Sequence, residues 1–248
     1  RVVLVQPNLV WEDATVNREK LRGLMDDQEG DLFVLPEMFS TGFSMRPSAF
    51  AETENGASVS WMADLAKVKD AAIVGSLIIE EDSNYFNRLF FVYPDGSFKT
   101  YNKRHLFTLA GEEKFYAQGD ASIIVEYKGW KIKPLVCYDL RFPVWARNTE
   151  GYDLLLYVAN WPEKRSHAWS SLLTARAIEN QSYVIGVNRV GQDGNGMDHN
   201  GKSVAVGPLG DQLKGFRENE EAAKSVTLSS DDLINTRERF RFLQDADD

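Results

Sequence analysis

Short runs of apolar, mostly β-branched residues recur along this chain and alternate with longer amphipathic segments. Eight of these runs have the length and composition of strands: residues 2–5, 32–35, 72–79, 89–93, 123–127, 132–137, 154–158 and 183–188. Most are apolar on both faces, which is typical of strands that are covered on both sides. Helical patterns separate many of them, at residues 17–28, 58–68, 143–150 and 169–180. This alternation predicts a layered α/β fold.

A turn signal shows that the sheet is not purely parallel. The tripeptide Pro94-Asp95-Gly96 has the composition of a tight turn and lies between two strand patterns, residues 90–93 and 97–101. Two strands joined by so short a connection run antiparallel. We therefore expect at least one hairpin within a mixed sheet.

The chain contains no signal for a domain boundary. No internal repeat, low-complexity tract or Pro/Ser-rich linker divides it, and strand patterns continue to residues 225–228, so we expect a single domain over residues 1–248. Residues 231–248 predict a short helix followed by an acidic tail from about residue 240. Residues 191–201 hold four Gly and two Asn, which predicts a surface or active-site loop.

The charge balance and the lack of long apolar segments exclude several classes of protein. Acidic residues outnumber basic ones by 37 to 28, and the formal net charge of −9 disfavours nucleic-acid binding. No stretch approaches the roughly 20 apolar residues that span a bilayer. The first residues have the pattern of a strand instead of a signal peptide, so we expect a cytoplasmic protein without a membrane segment. No glycine-rich phosphate-binding pattern opens a helix, which leaves a nucleotide-binding module without support.

Reactive side chains follow three of the predicted strands. Pro36 ends the run at residues 32–35, because proline cannot continue a central ladder, and Glu37 comes next. Cys137, the only cysteine, ends another run and precedes a segment that predicts a strand-to-helix elbow. Lys103 follows the second strand of the hairpin. Because ligands bind at the carboxyl ends of strands in α/β sheets, we expect chemistry at these positions.

Glu37, Lys103 and Cys137 are residue types that suit nucleophilic attack by a thiol, although each could instead have a purely structural role. A single cysteine excludes an internal disulfide and a multi-thiolate metal site, and a buried thiol is often mere packing. A free thiol has a pKa of about 8.5, so a nucleophilic Cys137 needs a base or a nearby positive charge. Glu37 can accept the proton, and the three histidines have no spacing suited to a Cys-His pair. Alternatively, Glu37 starts a helix and Lys103 is a solvated charge.

Three segments in order resemble the signatures of the nitrilase superfamily of carbon-nitrogen hydrolases. They are Leu35-Pro36-Glu37, Tyr101-Asn102-Lys103-Arg104-His105-Leu106-Phe107 and Val136-Cys137-Tyr138-Asp139-Leu140-Arg141-Phe142-Pro143, and the resemblance extends from Val2 through Asn188. It implies a four-layer α-β-β-α sandwich that forms a homodimer by packing helices across its surface. The helix that holds Trp145 and the helix over residues 169–180 are the candidates for that surface. The resemblance also implies hydrolysis without a metal or an organic cofactor.

The resemblance further assigns roles to the residues of the three segments. Cys137 would be the nucleophile, Glu37 the base, and Lys103 the cation that holds the developing oxyanion together with the backbone N–H of Tyr138. A second carboxylate often assists in this family. Glu112 matches that position better than Glu113, although two adjacent glutamates on a loop are commonly just solvated.

The substrate and its pocket are predicted from further residues near the strand ends. The motif around Cys137, together with Ala159-Asn160-Trp161-Pro162, is most similar to the omega-amidase branch, whose substrates are 2-oxo-dicarboxylate monoamides such as 2-oxoglutaramate. Arg141 would bind the substrate carboxylate, unless it pairs with Asp139 or Glu37.

Aromatic residues after Glu37 complete the predicted pocket. Phe39 and Phe43 would form its apolar walls, and Asn160 and Trp161 would also contact the substrate, although aromatic residues near strand ends are usually core. Carbamoylases, polyamine-pathway amidases and an inactive scaffold protein remain alternatives. The scaffold is disfavoured because the Glu, the Lys and the Cys are all present.

Overall fold

The computed structural model describes residues 1–245, so residues 246–248 of the expected acidic tail lie outside the described residues. Over this range the strands in chain order are β1 Val2–Gln6, β2 Leu32–Val34, β3 Ala72–Glu81, β4 Asn84–Val92, β5 Phe98–Asn102, β6 Val125–Tyr127, β7 Trp130–Val136, β8 Leu154–Val158, β9 Tyr183–Val187, β10 Val190–Gln192, β11 Asp198–Asn200, β12 Val204–Val206, β13 Gln212–Gly215 and β14 Ala222–Val226. The α-helices are α1 Ala14–Met25, α2 Pro47–Phe50, α3 Ala57–Lys69, α4 Pro143–Ala146, α5 Ser166–Asn180 and α6 Ser230–Arg239.

Local sequence signals explain where the longer helices begin and end. The Asp13 carboxylate accepts the Val16 N–H and starts α1, and the Ser229 hydroxyl accepts the Asp232 N–H at the start of α6. Such caps satisfy N–H groups that have no partner within the helix. Asp70 ends α3 in the left-handed conformation, with φ of 47°.

Two six-stranded sheets of similar plan form the centre of the molecule. The first has the order β14-β1-β2-β3-β4-β5, and the second has the order β13-β12-β9-β8-β7-β6. The middle strands of each are parallel, β1 with β2 and β3, and β7 with β8 and β9, whereas the outer strands are antiparallel. The mixed sheet and the hairpin between β4 and β5 are as predicted.

The alternation of side chains along β1 defines the layers on one side. Val2 and Leu4 belong to the apolar core between the sheets, whereas Val3 and Val5 pack with α1 and α3 on the outer face. On the opposite side, α5 approaches β9 so closely that a Cβ on Gly186 would lie 2.5 Å from Leu173. The predicted four-layer α-β-β-α sandwich is confirmed.

Two predicted elements differ from the structure. The helix expected over residues 143–150 ends at Ala146, because the backbone of Arg147 leaves the helical region and the Asn148 side chain binds Tyr152 and Asn180. The expected loop at 191–201 contains the ribbon of β10 and β11.

The connection of that ribbon is closed by one carboxylate. Asp193 accepts the N–H groups of Asn195 and Met197, which forms a tight turn between β10 and β11. The turn brings polar residues of the ribbon to the carboxyl ends of the sheets. Among residues 1–245, no helix is both long and apolar enough to cross a membrane.

Candidate active site

Glu37 lies just beyond the carboxyl end of β2, fully buried between the two sheets. Its Oε1 accepts hydrogen bonds from Lys103 Nζ at 2.9 Å and from Asn87 Nδ2 at 2.8 Å. Its Oε2 accepts the backbone N–H of Asn160 at 2.9 Å. Met38, the next residue, has φ of 43°, a left-handed conformation that a non-glycine residue adopts at an energetic cost. The carboxylate is therefore held in one orientation by donors from three other segments.

Cys137 lies at the turn between β7 and a short 3-10 helix, Cys137–Arg141, with φ of 42°. Asp139 stabilises this elbow, because its Oδ2 accepts the Val136 N–H at 3.0 Å and the Tyr101 hydroxyl at 2.8 Å. Its Oδ1 accepts the His105 N–H at 2.9 Å. The predicted elbow is present, and Asp139 joins it to the segment that carries Lys103.

Lys103 follows β5, which lies in the same sheet as β2, and its side chain reaches Glu37. Its Nζ lies 2.9 Å from Glu37 Oε1 and 3.0 and 2.9 Å from the two oxygens of Glu112, and 5.1 Å from the centre of the Phe43 ring. Glu112 is fully buried and accepts the Phe107 N–H at 2.6 Å. Glu113 is exposed, so the structure brings Glu112 and not its neighbour to the cluster.

Burial and charge shift the pKa values of these groups. Burial is the largest influence on Cys137 and, with the Glu37 charge, raises the thiol pKa well above its ordinary value, against the opposing effects of Lys103 and the Asn160 N–H. Burial alone would lower the pKa of Lys103, but Glu112 and Glu37 raise it. Burial raises the pKa of Glu112, Lys103 opposes this, and Glu37 adds to the rise. These effects favour the neutral thiol of Cys137 and the charged ammonium of Lys103.

A cavity of about 360 Å³ opens above Cys137. Four of the residues considered in the sequence analysis line it: Phe43, Asn160, Trp161 and Arg141. Residues of the β10–β11 ribbon form another part of its wall: Asp193, Asn195, Met197 and His199.

Phe39 is a correction to the predicted pocket. Its side chain is fully buried and packs against Trp61 of α3, with ring centres 5.7 Å apart. It belongs to the core on the outer face of the first sheet, because the turn at Met38 directs it away from the cavity.

Comparison with known proteins identifies the family. The model of the carbon-nitrogen hydrolase family matches residues 1–238. The chain belongs to the carbon-nitrogen hydrolase family. The omega-amidase YafV of Escherichia coli is 45% identical over 249 residues, which cover all of this chain and 97% of that protein. The 2-oxoglutaramate amidase of Bacillus subtilis is 36% identical over 78% of this chain and 76% of its own length.

The fold of this carbon-nitrogen hydrolase also occurs among solved structures. A crystal structure of a CN-hydrolase superfamily protein from Xanthomonas campestris, with an arsenic adduct in its active site, has a TM-score of 0.97 and 42% sequence identity. The match covers the whole of this chain and 97% of that one.

Two arginines of this hydrolase line the cavity without a carboxylate partner within residues 1–245. The Arg141 guanidinium lies over the Trp161 ring at 5.0 Å, and the Arg165 guanidinium lies over the Phe107 ring at 4.9 Å. Burial and the nearby charge of Arg141 lower the pKa of Arg165. The sequence analysis missed Arg165, which comes 28 residues after Cys137 and outside the family segments.

Asn87 and Ser76 were also missed, although the sequence carries a signal for both. Each is a polar residue next to apolar stretches of a strand, Ser76 in β3 and Asn87 in β4, and both are fully buried. A buried polar side chain needs a hydrogen-bond partner, so such a residue in a central strand points to a polar network nearby.

Proposed function

We propose that this enzyme hydrolyses the terminal amide of a small 2-oxo-dicarboxylate monoamide, of the 2-oxoglutaramate or 2-oxosuccinamate type, to the acid and ammonia. The observation that carries the proposal is the pair of guanidiniums, Arg141 and Arg165, in the cavity that holds Cys137. Two like charges close together are unfavourable unless an anion binds between them. The names of the two relatives, an omega-amidase and a 2-oxoglutaramate amidase, agree with a carboxylate at one end of the substrate and an amide at the other.

The proposed reaction begins at the protonated thiol. Cys137 transfers its proton to Glu37 as the sulfur attacks the amide carbon, because a thiolate formed before the attack would be a costly charge in this buried site. Lys103 Nζ and the backbone N–H of Tyr138 hold the oxyanion. Tyr138 lies in the first turn of the 3-10 helix, where N–H groups have no partner within the helix. Glu112 keeps Lys103 charged and in position.

The remaining steps release the two products. Glu37 gives the proton to the leaving nitrogen and the C–N bond breaks. Ammonia departs, and the acyl group remains bound to Cys137 as a thioester. Water then attacks the thioester carbon with Glu37 as the base, and the restored thiol is the leaving group. The overall balance is one amide and one water converted into one acid and one ammonia.

Substrate binding is assigned to the cavity wall. Arg141 and Arg165 would bind the carboxylate, for which the planar guanidinium provides two parallel donors. Phe43 and Trp161 would form apolar walls around the carbon chain, and Asn160, which donates to Glu37, would help to place the base. A cytoplasmic location and a homodimer are part of the same proposal.

The dimer is supported by exposed apolar residues on the expected surface. Val144 of α4 is 88% exposed and Ile178 of α5 is 51% exposed. Both side chains lie on the helices for which the resemblance implies the contact, and burying them against another chain would be favourable. Sedimentation at micromolar concentration should therefore give a dimer, and a species of 28.1 kDa would count against it.

Ammonia release from two matched substrates tests the proposal. kcat/KM is measured for 2-oxoglutaramate and for an uncharged amide of similar length, in the wild type, Arg141→Met and Arg165→Met. Loss of a charged contact in a desolvated site costs about 2–5 kcal/mol of transition-state binding, and it should fall on the charged substrate. Arg141→Lys should recover little, since an ammonium lacks the planar fork.

Two results would contradict the proposed substrate. Equal losses on both amides would make the arginines structural residues. Faster turnover of N-carbamoyl compounds than of 2-oxo-dicarboxylate monoamides would instead indicate a carbamoylase.

A further inference from the structure

Asn87 contacts all three charged residues of the catalytic cluster without lining the cavity. Its Nδ2 donates to Glu37 Oε1 at 2.8 Å and lies 3.4 Å from Glu112 Oε1. Its main-chain oxygen accepts the Lys103 N–H at 2.9 Å. The side chain is fully buried and, within the described part of the chain, is absent from the lining of the substrate cavity.

Ser76 fixes which way the Asn87 amide points. The Ser76 hydroxyl donates to Asn87 Oδ1 at 2.8 Å, and its oxygen accepts the Met38 N–H at 2.9 Å. An amide turned the other way would leave the Ser76 hydroxyl without this acceptor and would point an oxygen, not a donor, at the Glu37 carboxylate. Ser76 therefore binds the main chain at Met38, next to Glu37, and Asn87 binds the Glu37 side chain.

The two oxygens of Glu37 have different hydrogen-bond partners. Oε1 is occupied by Lys103 Nζ and Asn87 Nδ2, whereas Oε2 accepts the backbone N–H of Asn160, a residue that lines the cavity together with Cys137. A hydrogen bond donated to a carboxylate stabilises its charged form. Removing the Asn87 donor takes away one of the three hydrogen bonds that hold the charged carboxylate and leaves only those from Lys103 and the Asn160 N–H.

We propose that Asn87, oriented by Ser76, is the positioning residue that holds the Glu37 carboxylate so that Oε2 is available to take the Cys137 proton. The inference rests on the roles proposed above for Glu37 and Cys137 and is independent of the identity of the substrate. A role in base positioning predicts a change in the pH dependence of thiol chemistry. A role in folding alone predicts no such change.

Alkylation of Cys137 by iodoacetamide tests this without any substrate. The sulfur displaces iodide from the CH₂ carbon, an S–C bond forms, and the thiol proton passes to Glu37. The second-order rate is measured between pH 5 and pH 9 by mass spectrometry of the whole protein. In Asn87→Ala the acidic limb should move to higher pH by about one unit, the scale of one hydrogen bond. The variant should therefore be several-fold slower at pH 6 and approach the wild-type rate at pH 8.

The matched control is another buried asparagine, Asn180 at the end of α5. It donates to Arg176 O and accepts the Asn148 N–H, with no contact to the cluster. Asn180→Ala should lower the melting temperature and leave the pH profile of alkylation unchanged. Identical profiles for Asn87→Ala and the wild type would overturn the proposal.

Ser76→Ala gives a second test that keeps the Asn87 amide in place. Without the hydroxyl, the amide is free to turn over, so the acidic limb should move in the same direction by a smaller amount. In the double variant the two effects should be less than additive, because both act through the same amide. Additive effects, or no effect of Ser76→Ala, would contradict a role of Ser76 in orienting Asn87. If alkylation behaves as expected and 2-oxoglutaramate is not turned over, the positioning role stands and the substrate assignment fails.

Discussion

The two charged regions of the active site differ in how their charges are neutralised. At the base of the cavity, Glu37, Lys103 and Glu112 are almost fully buried and bind one another at 2.9–3.0 Å. On the wall, Arg141 and Arg165 are only partly buried and lie on aromatic rings, without a carboxylate partner within residues 1–245.

This difference separates preorganisation from ligand binding. Buried charges that neutralise each other keep their geometry before the substrate arrives, which is what catalysis by fixed charges requires. Partly exposed guanidiniums without a partner remain hydrated and gain their partner only when an anionic ligand binds. The buried cluster of Glu37, Lys103 and Glu112 should therefore govern the rate of the chemical step. The arginines on the wall should govern the choice of substrate.

The largest effect is expected at the nucleophile. Cys137→Ala should lower kcat by more than about 10⁴-fold, the scale observed when a covalent nucleophile is removed. The fold should be retained, because alanine at φ of 42° carries the same backbone strain as cysteine. Cys137→Ser should be nearly inactive as well, since a hydroxyl is far less acidic than a thiol. Ammonia release by Cys137→Ala at the wild-type rate would contradict the proposed mechanism.

Replacing a cation by methionine should affect stability to very different extents in the two regions. Lys103→Met leaves Glu37 and Glu112 buried without a cation, so the free energy of unfolding at pH 7 should fall by about 3–5 kcal/mol. Arg165→Met removes a cation from beside Arg141 and should change the free energy by no more than about 0.5 kcal/mol. Denaturant unfolding monitored by tryptophan fluorescence measures both variants.

The pH dependence of Lys103→Met sharpens this comparison. Without the ammonium, one of the two carboxyl groups should be protonated in the folded protein at a higher pH than in the unfolded chain. The loss of stability should therefore be smaller at pH 5 than at pH 7. Equal stability losses for Lys103→Met and Arg165→Met would remove the distinction between the two regions.

A smaller effect is expected from His199, on the wall of the cavity. Burial, followed by the charge of Arg189, lowers the pKa of His199 from 6.5 to about 4. The unfolded chain therefore binds this proton more readily, so the stabilisation is present above pH 6.5 and is lost as the pH falls toward 4. The wild type should lose about 2 kcal/mol more than His199→Asn between pH 7 and pH 5. His167→Asn, at an exposed position on α5, is the control and should behave as the wild type.

Much of this enzyme was predictable because the signals are local. Strand patterns and the turn at Pro94-Asp95-Gly96 depend on neighbours within a few residues, and most predicted strands are present with shifted ends. Chemistry was predicted at Glu37, Lys103 and Cys137 because each follows a strand, and ligands bind at the carboxyl ends of strands in α/β sheets. The family signatures then determined their order along the chain.

Other features were decided only by contacts between distant segments. Glu112 and Glu113 are adjacent and chemically alike, and the 3-10 turn directs only Glu112 to Lys103. Phe39 and Phe43 both follow Glu37, and the left-handed turn at Met38 sends the first into the core and leaves the second at the cavity.

The partners of Asp139 and the position of Arg165 are of the same kind. Asp139 binds Tyr101 and His105, which leaves Arg141 facing the cavity, and Arg165 reaches Phe107 across 58 residues of chain. Periodicity reports which face of an element is buried, but it carries no information on which distant side chain completes a hydrogen bond or an ion pair. The sequence therefore determined the elements and the residues proposed as catalytic, and the packing of the two sheets decided which charges are neutralised within the protein and which line the cavity without a carboxylate partner among residues 1–245.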